Sequence, residues 1–212
     1  MSEVNRRGFL AGAAAGVATV GSTRLQGESK KAAANERVRV GVIGAGGRAL
    51  SLNRSFAENA NAEIVIIADL DPRRLPRAVE EVYRRQGKKP KTTGDFRHLI
   101  DDNSLDAIVV GTPDHWHAIP SIMAMLAGKD VYVEKPDSHN IVEGMRMVAA
   151  MKKHKRICQM GSQHRSTKRM QTALAYIKTG ALGRCLVAKA WESSRQGSIG
   201  FPKDSQVPAG VN

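Results

Sequence analysis

Glu134, Lys135 and Pro136 follow directly on the apolar run Val131-Tyr132-Val133. A strand that ends on an acid and an amine held by a proline is either presenting chemistry or carrying a solvated ion pair of little energetic weight. Pro136 biases Lys135 toward extended backbone, so Lys135 cannot simply begin the helix that follows. A lysine beside a reacting alcohol can orient its hydroxyl. If desolvated, and so neutral, its amine can also take up the proton.

Three other groups bear on the choice. Gly44-Ala45-Gly46-Gly47-Arg48-Ala49 spells G-x-G-x-x-A after the β-branched run at 38–43. In the dinucleotide-binding pattern the first glycine allows a tight turn and the second lets backbone N–H groups approach a pyrophosphate. The small third residue, Ala49 here in place of glycine, keeps the helix close to the sheet. The helix start that follows favours an anion. Gly47 and Arg48 belong to the same turn and are expected to touch the cofactor, as is Glu134.

Asp69 closes the next apolar run, 23 residues after Gly46. That is near the ~20-residue spacing of an acid that accepts from a ribose 2′-hydroxyl. Such a carboxylate repels a 2′-phosphate and favours NAD. Arg73 and Arg74 follow closely and can pair with a phosphate, so NADP stays open. A third run ends in Thr112-Pro113-Asp114-His115-Trp116-His117. Two histidines at i, i+2 with no second cluster make poor zinc evidence, and no metal is expected.

The elements that must hold these groups alternate. Short apolar strands are expected at 38–43, 63–69, 105–113, 130–136, 156–161 and 185–193. Between them lie helical stripes, with Pro76 near one helix start, Gly128 and Gly180 as C-terminal stops, and Asn140 as an N-cap to which Glu143 reaches back. Strands alternating with helices of 10–15 residues give βαβ units and a doubly wound parallel sheet. In such sheets ligands bind beyond the carboxyl ends of the strands, where Gly44, Asp69, Thr112 and Lys135 all fall.

The N-terminal segment reads differently. Arg6-Arg7 precedes Phe9-Leu10 and a weakly apolar Gly/Ala stretch to about Val20. This is shorter than the ~20 apolar residues of a membrane span. It resembles a twin-arginine export signal, with a flexible linker after it. Residues 1–36 are therefore set apart as leader and linker, 37–165 as the nucleotide-binding domain and 166–212 as the start of a second α/β domain. Export to the periplasm is expected.

The 212-residue chain carries a formal charge of +13, of which the first 30 residues account for only two units. Residues 144–170 hold eight Lys/Arg and no acid. Cations at a helix C-terminus explain much of this without a polyanion. Aromatics are 4% of residues, too few for base-stacking platforms, so no nucleic acid is expected. Cys158 and Cys185 stand in apolar runs and read as small buried hydrophobes.

Together the carriers "VGVIGAGGRA", "IVIIADLDPRR", "VVGTPDHWHA", "GKDVYVEKPDSHN" and "YIKTGALGRCLVAKAW" resemble the glucose–fructose oxidoreductase/inositol dehydrogenase (Gfo/Idh/MocA) family. The resemblance implies a Rossmann domain followed by an α/β domain with an open, largely antiparallel sheet that often mediates self-association. It implies NAD(P)-dependent oxidation or reduction of a carbinol in a sugar or cyclitol. On this resemblance Lys135 contacts nicotinamide and substrate, and Gly44, Gly46 and Asp69 hold the cofactor. Thr112, Pro113 and His117 line its nicotinamide half, and Gln163 and Arg165 face the substrate. The family also contains glycoside hydrolases and lyases that use bound NAD transiently. Its catalytic set is completed by an Asp and a His of the second domain, for which residues 186–212 show no counterpart. The expectation is the front half of a longer enzyme, with a non-catalytic nucleotide-binding fragment as a further alternative.

Overall fold

The computed structural model describes residues 37–191, 200 and 203–211. The export signal and linker expected at 1–36 lie outside the described residues. Six strands form one sheet: β1 (Val38–Ile43), β2 (Ala62–Ala68), β3 (Lys91–Thr93), β4 (Ala107–Val110), β5 (Asp130–Glu134) and β6 (Cys158–Gly161). Their order is β3-β2-β1-β4-β5-β6, and every pairing is parallel. The chain winds outward from β1 to β3, then returns to build β4 to β6 on the other side. The strand order thus reverses between β1 and β4, the place where such sheets open a ligand crevice.

Among the described residues, five helices connect and flank these strands, α1 (Gly47–Glu58), α2 (Leu75–Gln86), α3 (Arg97–Asp101), α4 (Ala118–Leu126) and α5 (Ile141–His154), and α6 (Lys168–Lys178) follows the last strand. Strand periodicity divides the core into two layers. Val40, Val42, Ile64, Ile67 and Val109 pack with Leu50 and Ala57 of α1 and with Ala78 and Val82 of α2. Ile43, Ile66, Ile108, Val110, Val131 and Val133 point the other way, against α3, α4 and Met147 and Ala150 of α5. Both faces are covered, which is why the strands read as continuous apolar runs. Ile67 is fully buried, and Ile67→Ala would cost about 2–5 kcal/mol.

The local signals act as their chemistry dictates. Asn140 Oδ1 accepts from the N–H of Glu143 at 3.0 Å, and Glu143 Oε2 accepts from His139 N–H at 2.9 Å. The box thus closes one residue before the cap. Gly87 and Gly128 leave α2 and α4 with φ of 78°, a left-handed turn open to glycine.

Two expectations fail. Residues 185–191 form no strand, and Cys185 is exposed while Cys158 is only half-buried. The apolar residues there, Leu186, Val187 and Trp191, are exposed, so alternation alone found no sheet edge to join. The expected strand over 192–193 lies outside the described residues. Conversely, β3 is three residues long with none buried, and no apolar pattern announces it.

Candidate dinucleotide site

The turn after β1 is closed by tight packing. Gly44 has φ of +112°, and a Cβ there would lie 2.9 Å from the carbonyl oxygen of Gly111. Gly111 in turn leaves no room for a Cβ, which would meet Ala49 Cβ at 2.9 Å. Ala49 is fully buried, so this third fingerprint position is a contact between the turn after β1 and the turn after β4. Glycine or alanine fits there; a larger side chain does not.

Asp69 stands at the end of β2 and reaches back to the glycine loop. Its Oδ2 accepts from Ala45 N–H at 2.7 Å and its Oδ1 from Asp71 N–H at 2.9 Å. Each carboxylate oxygen retains accepting capacity, so the group orders the loop and still presents an acceptor. Gly46 caps α1 with no side-chain hydrogen bond, and α1 has no acid in its first turn. The first N–H groups of a helix lack intrahelical partners. Left uncapped beside a small residue, they suit an anion. A Cβ at Gly46 would meet the Arg74 guanidinium at 2.6 Å, so a cation already overhangs this approach.

Arg73 and Asp71 form a two-point pair at 2.7 and 2.8 Å. The Arg73 hydrogen bonds hold the Asp71 carboxyl down at about 2. The two arginines considered for a 2′-phosphate therefore both engage Asp71, Arg74 at 3.3 Å.

These groups surround a cavity of about 1200 Å³ lined by Gly44, Gly46, Gly47, Arg48, Asp69, Thr112 and Pro113, among others. That exceeds the roughly 300–1,000 Å³ common for ligand pockets, as a molecule made of two nucleotides requires. Phe96, Arg97, Trp116, Pro208 and Val211 also line it. The sequence had not marked these: the Phe96–Trp116 edge contact joins segments far apart in the chain.

The other expected residues sit around this cavity differently. Arg48 Nε donates to Glu134 Oε1 at 2.8 Å, and Glu134 is buried. Two residues expected to touch the cofactor are thus partners of each other, and they pin the start of α1 to the end of β5. Glu134 Oε2 also accepts from Lys135 N–H at 3.2 Å. Lys135 is exposed at the carboxyl end of β5, beside the cavity rather than in its wall. His117 does not line the cavity either. It is buried, with its ring against the carbonyl oxygens of Thr112 and Pro136. Gln163 and Arg165 lie in the turn after β6, with Arg165 exposed and Gln163 Oε1 buried without a hydrogen-bond partner. Among the described residues no group of three or more His, Cys, Asp or Glu is placed to hold a metal.

An oxidoreductase family with an NAD-binding Rossmann fold, Gfo/Idh/MocA, matches residues 38–162. The chain belongs to this family. Its glycine loop, Asp69 and uncapped α1 all fall within the matched Rossmann domain. A glycosyl hydrolase family 109 protein of Shewanella sp. strain ANA-3 is 31% identical over 210 residues, covering 90% of this chain and 46% of the relative. The chain thus spans about half the length of such relatives. Among solved structures, myo-inositol 2-dehydrogenase from Lactobacillus plantarum superposes with a TM-score of 0.61 at 25% identity, covering 70% of this chain and 43% of that one. The WlbA dehydrogenase from Bordetella pertussis, solved with NADH and UDP-GlcNAcA, gives 0.59 at 26% identity, covering 70% and 44%.

Proposed function

We propose that this chain is the cofactor-binding portion of an NAD-dependent oxidoreductase acting on a sugar- or cyclitol-like alcohol. The observation that carries the reading is Lys135, an exposed ammonium at the carboxyl end of β5, on the same sheet edge as Gly44 and Asp69. NAD bound there supplies a hydride acceptor. Lys135 orients the substrate hydroxyl by donating to it. As the carbinol carbon gives its hydride to NAD, the hydroxyl proton would pass to a base of the second domain that the family resemblance implies, while the ammonium stabilises negative charge developing on that oxygen. Gly44, Gly46 and Gly47 keep the approach to the pyrophosphate clear, and Asp69 takes the ribose hydroxyls. Gln163 and Arg165 offer an amide and a guanidinium to a polyhydroxylated substrate.

The test is NADH formation measured at 340 nm across a panel of sugars and cyclitols. It uses this chain within a protein of the relatives' full length. Net NADH with at least one polyol supports the reading. The second reading, a glycosidase that cycles its NAD, is favoured by the 31% identity to a family 109 glycosyl hydrolase. It predicts aryl glycoside cleavage with no net NADH. Absence of both activities, with NAD still bound, would favour a binding module.

The leader reading supports export by the twin-arginine route. A fusion of residues 1–36 to a reporter, compared in cells with and without that translocase, tests it. Delivery independent of the translocase would overturn it. Self-association is tested by light scattering on the relative-length protein.

A further inference from the structure

His117 is 2% exposed and occupies the turn between β4 and α4. Its Nδ1 contacts the carbonyl oxygen of Pro136, and its Nε2 lies 2.8 Å from the carbonyl oxygen of Thr112. Ser121 Oγ donates to the His117 carbonyl at 2.6 Å, which fixes the first turn of α4 beneath the ring. The imidazole therefore spans two loops at neighbouring strand ends, one in the cavity wall and one carrying Lys135.

Both partners are carbonyl oxygens, which only accept. A neutral imidazole has a single N–H. Whichever nitrogen carries it donates to one loop, and the buried ring packs against the other.

We propose that His117 is a positioning residue whose ring ties the Thr112 loop to the Pro136 loop and so sets where Lys135 stands. The assignment of a purpose to Lys135 rests on the functional reading above; the bridge itself does not. The charged and titratable groups on the joined segments are Asp114, His115, Glu134, Lys135, Asp137 and His139. Asp114 has its carboxyl held below the ordinary range by the backbone N–H of His115 and by nearby histidine charge. Arg48 and Glu134 brace the end of β5 from the α1 side, and His117 braces Pro136 from the α4 side. Lys135 is held between these braces by its backbone, with its side chain free to meet a substrate.

Two measurements test the bridge without turnover. In the unaltered chain labelled with nitrogen-15, imidazole correlation spectra should show a His117 ring N–H protected from exchange with water. A ring N–H that exchanges freely there would overturn the proposal. Hydrogen exchange of residues 131–140 supplies the second. His117→Phe removes both ring nitrogens and should speed exchange of this segment roughly tenfold. His117→Gln keeps an amide nitrogen with two donor hydrogens and should stay within roughly threefold of the unaltered chain. Unchanged exchange in His117→Phe, or equal acceleration in both variants with residues 62–68 unaffected, would overturn it. If exchange rises throughout the sheet in both variants, the fold has been lost and the imidazole spectrum of the unaltered chain decides. Should Lys135→Met leave turnover intact, the functional reading falls while the bridge stands.

Discussion

The two sides of the cleft are built differently. On the side of β1, β2 and β4, the turns lock into one another. Asp69 holds Ala45, Gly44 and Gly111 leave no space for side chains, and Ala49 fills the contact between turns. On the side of β5 and β6, Lys135 and Arg165 are exposed and Gln163 Oε1 is buried without a partner. Beyond them, α6 buries no residue, and Ile141, Met145 and Ile157 are 83%, 66% and 68% exposed. The first side is preformed for a cofactor common to a whole family. The second leaves exposed the groups assigned to the substrate under the proposed function. A ligand that is always the same suits a rigid cradle, while chemistry that varies is carried on the side left open.

Substitutions can break or sharpen this contrast. The largest effect belongs to Lys135→Met, which should lower turnover of a relative-length enzyme by roughly 10²–10⁴-fold. NAD affinity should change by less than about threefold, since Lys135 lies outside the cavity wall. Calorimetry and initial rates measured together check both halves, and equal losses in the two would erase the distinction between the sides.

Next comes Gly44→Ala. Its φ of +112° and a Cβ only 2.9 Å from a backbone oxygen leave nothing flexible to yield. The fold should lose about 1–3 kcal/mol by chemical denaturation, with NAD binding impaired. Gly46→Ala meets the movable end of Arg74 instead. It should spare stability and weaken only NAD binding, so unequal unfolding midpoints would separate the two glycines.

Asp69→Ala should weaken NAD roughly tenfold, the loss of a charged hydrogen-bond acceptor, and narrow the gap to NADP. Titration with both coenzymes measures it.

The smallest effect is acidic. Asp71 and Asp95 are held at about 2, below the ordinary 3.8, chiefly by side-chain hydrogen bonds from Arg73 and Arg97. A depressed carboxyl contributes stability that is present above its ordinary value and lost as pH falls through the lowered one. Unfolding temperature should therefore drop as pH falls from about 4 to about 2. The arginine of each pair is largely open to solvent, so the slope should be shallow and shrink in high salt. Arg73→Ala should flatten it.

Much of the cofactor side was legible in the sequence because it depends on local rules. A glycine turn, an acid at the next strand end and β-branched runs each carry their reason within a few residues. Parallel pairing followed from strands alternating with helices. What stayed hidden depends on contacts between distant segments. Nothing in "KTT" marks β3; it forms because its backbone pairs with β2. Glu134 and Arg48 read as two cofactor contacts, and only folding across 86 residues makes them a pair. His117 read as part of a wall, whereas its two carbonyl partners lie at separate strand ends. The strand expected from residue 185 failed for the opposite reason. Its pattern was suitable, but the described residues at 185–191 found no neighbour to pair with.

A crystal structure of this chain soaked with NAD shows where the cofactor lies. The pyrophosphate should sit against the N–H groups of Gly46 and Gly47, with the ribose hydroxyls on Asp69. The nicotinamide should reach the Lys135 end of β5, leaving a reacting carbon about 3–3.5 Å from the ring in a substrate complex. NAD bound with its nicotinamide end on the β3 side, or clear of the turn after β1 altogether, would contradict this placement.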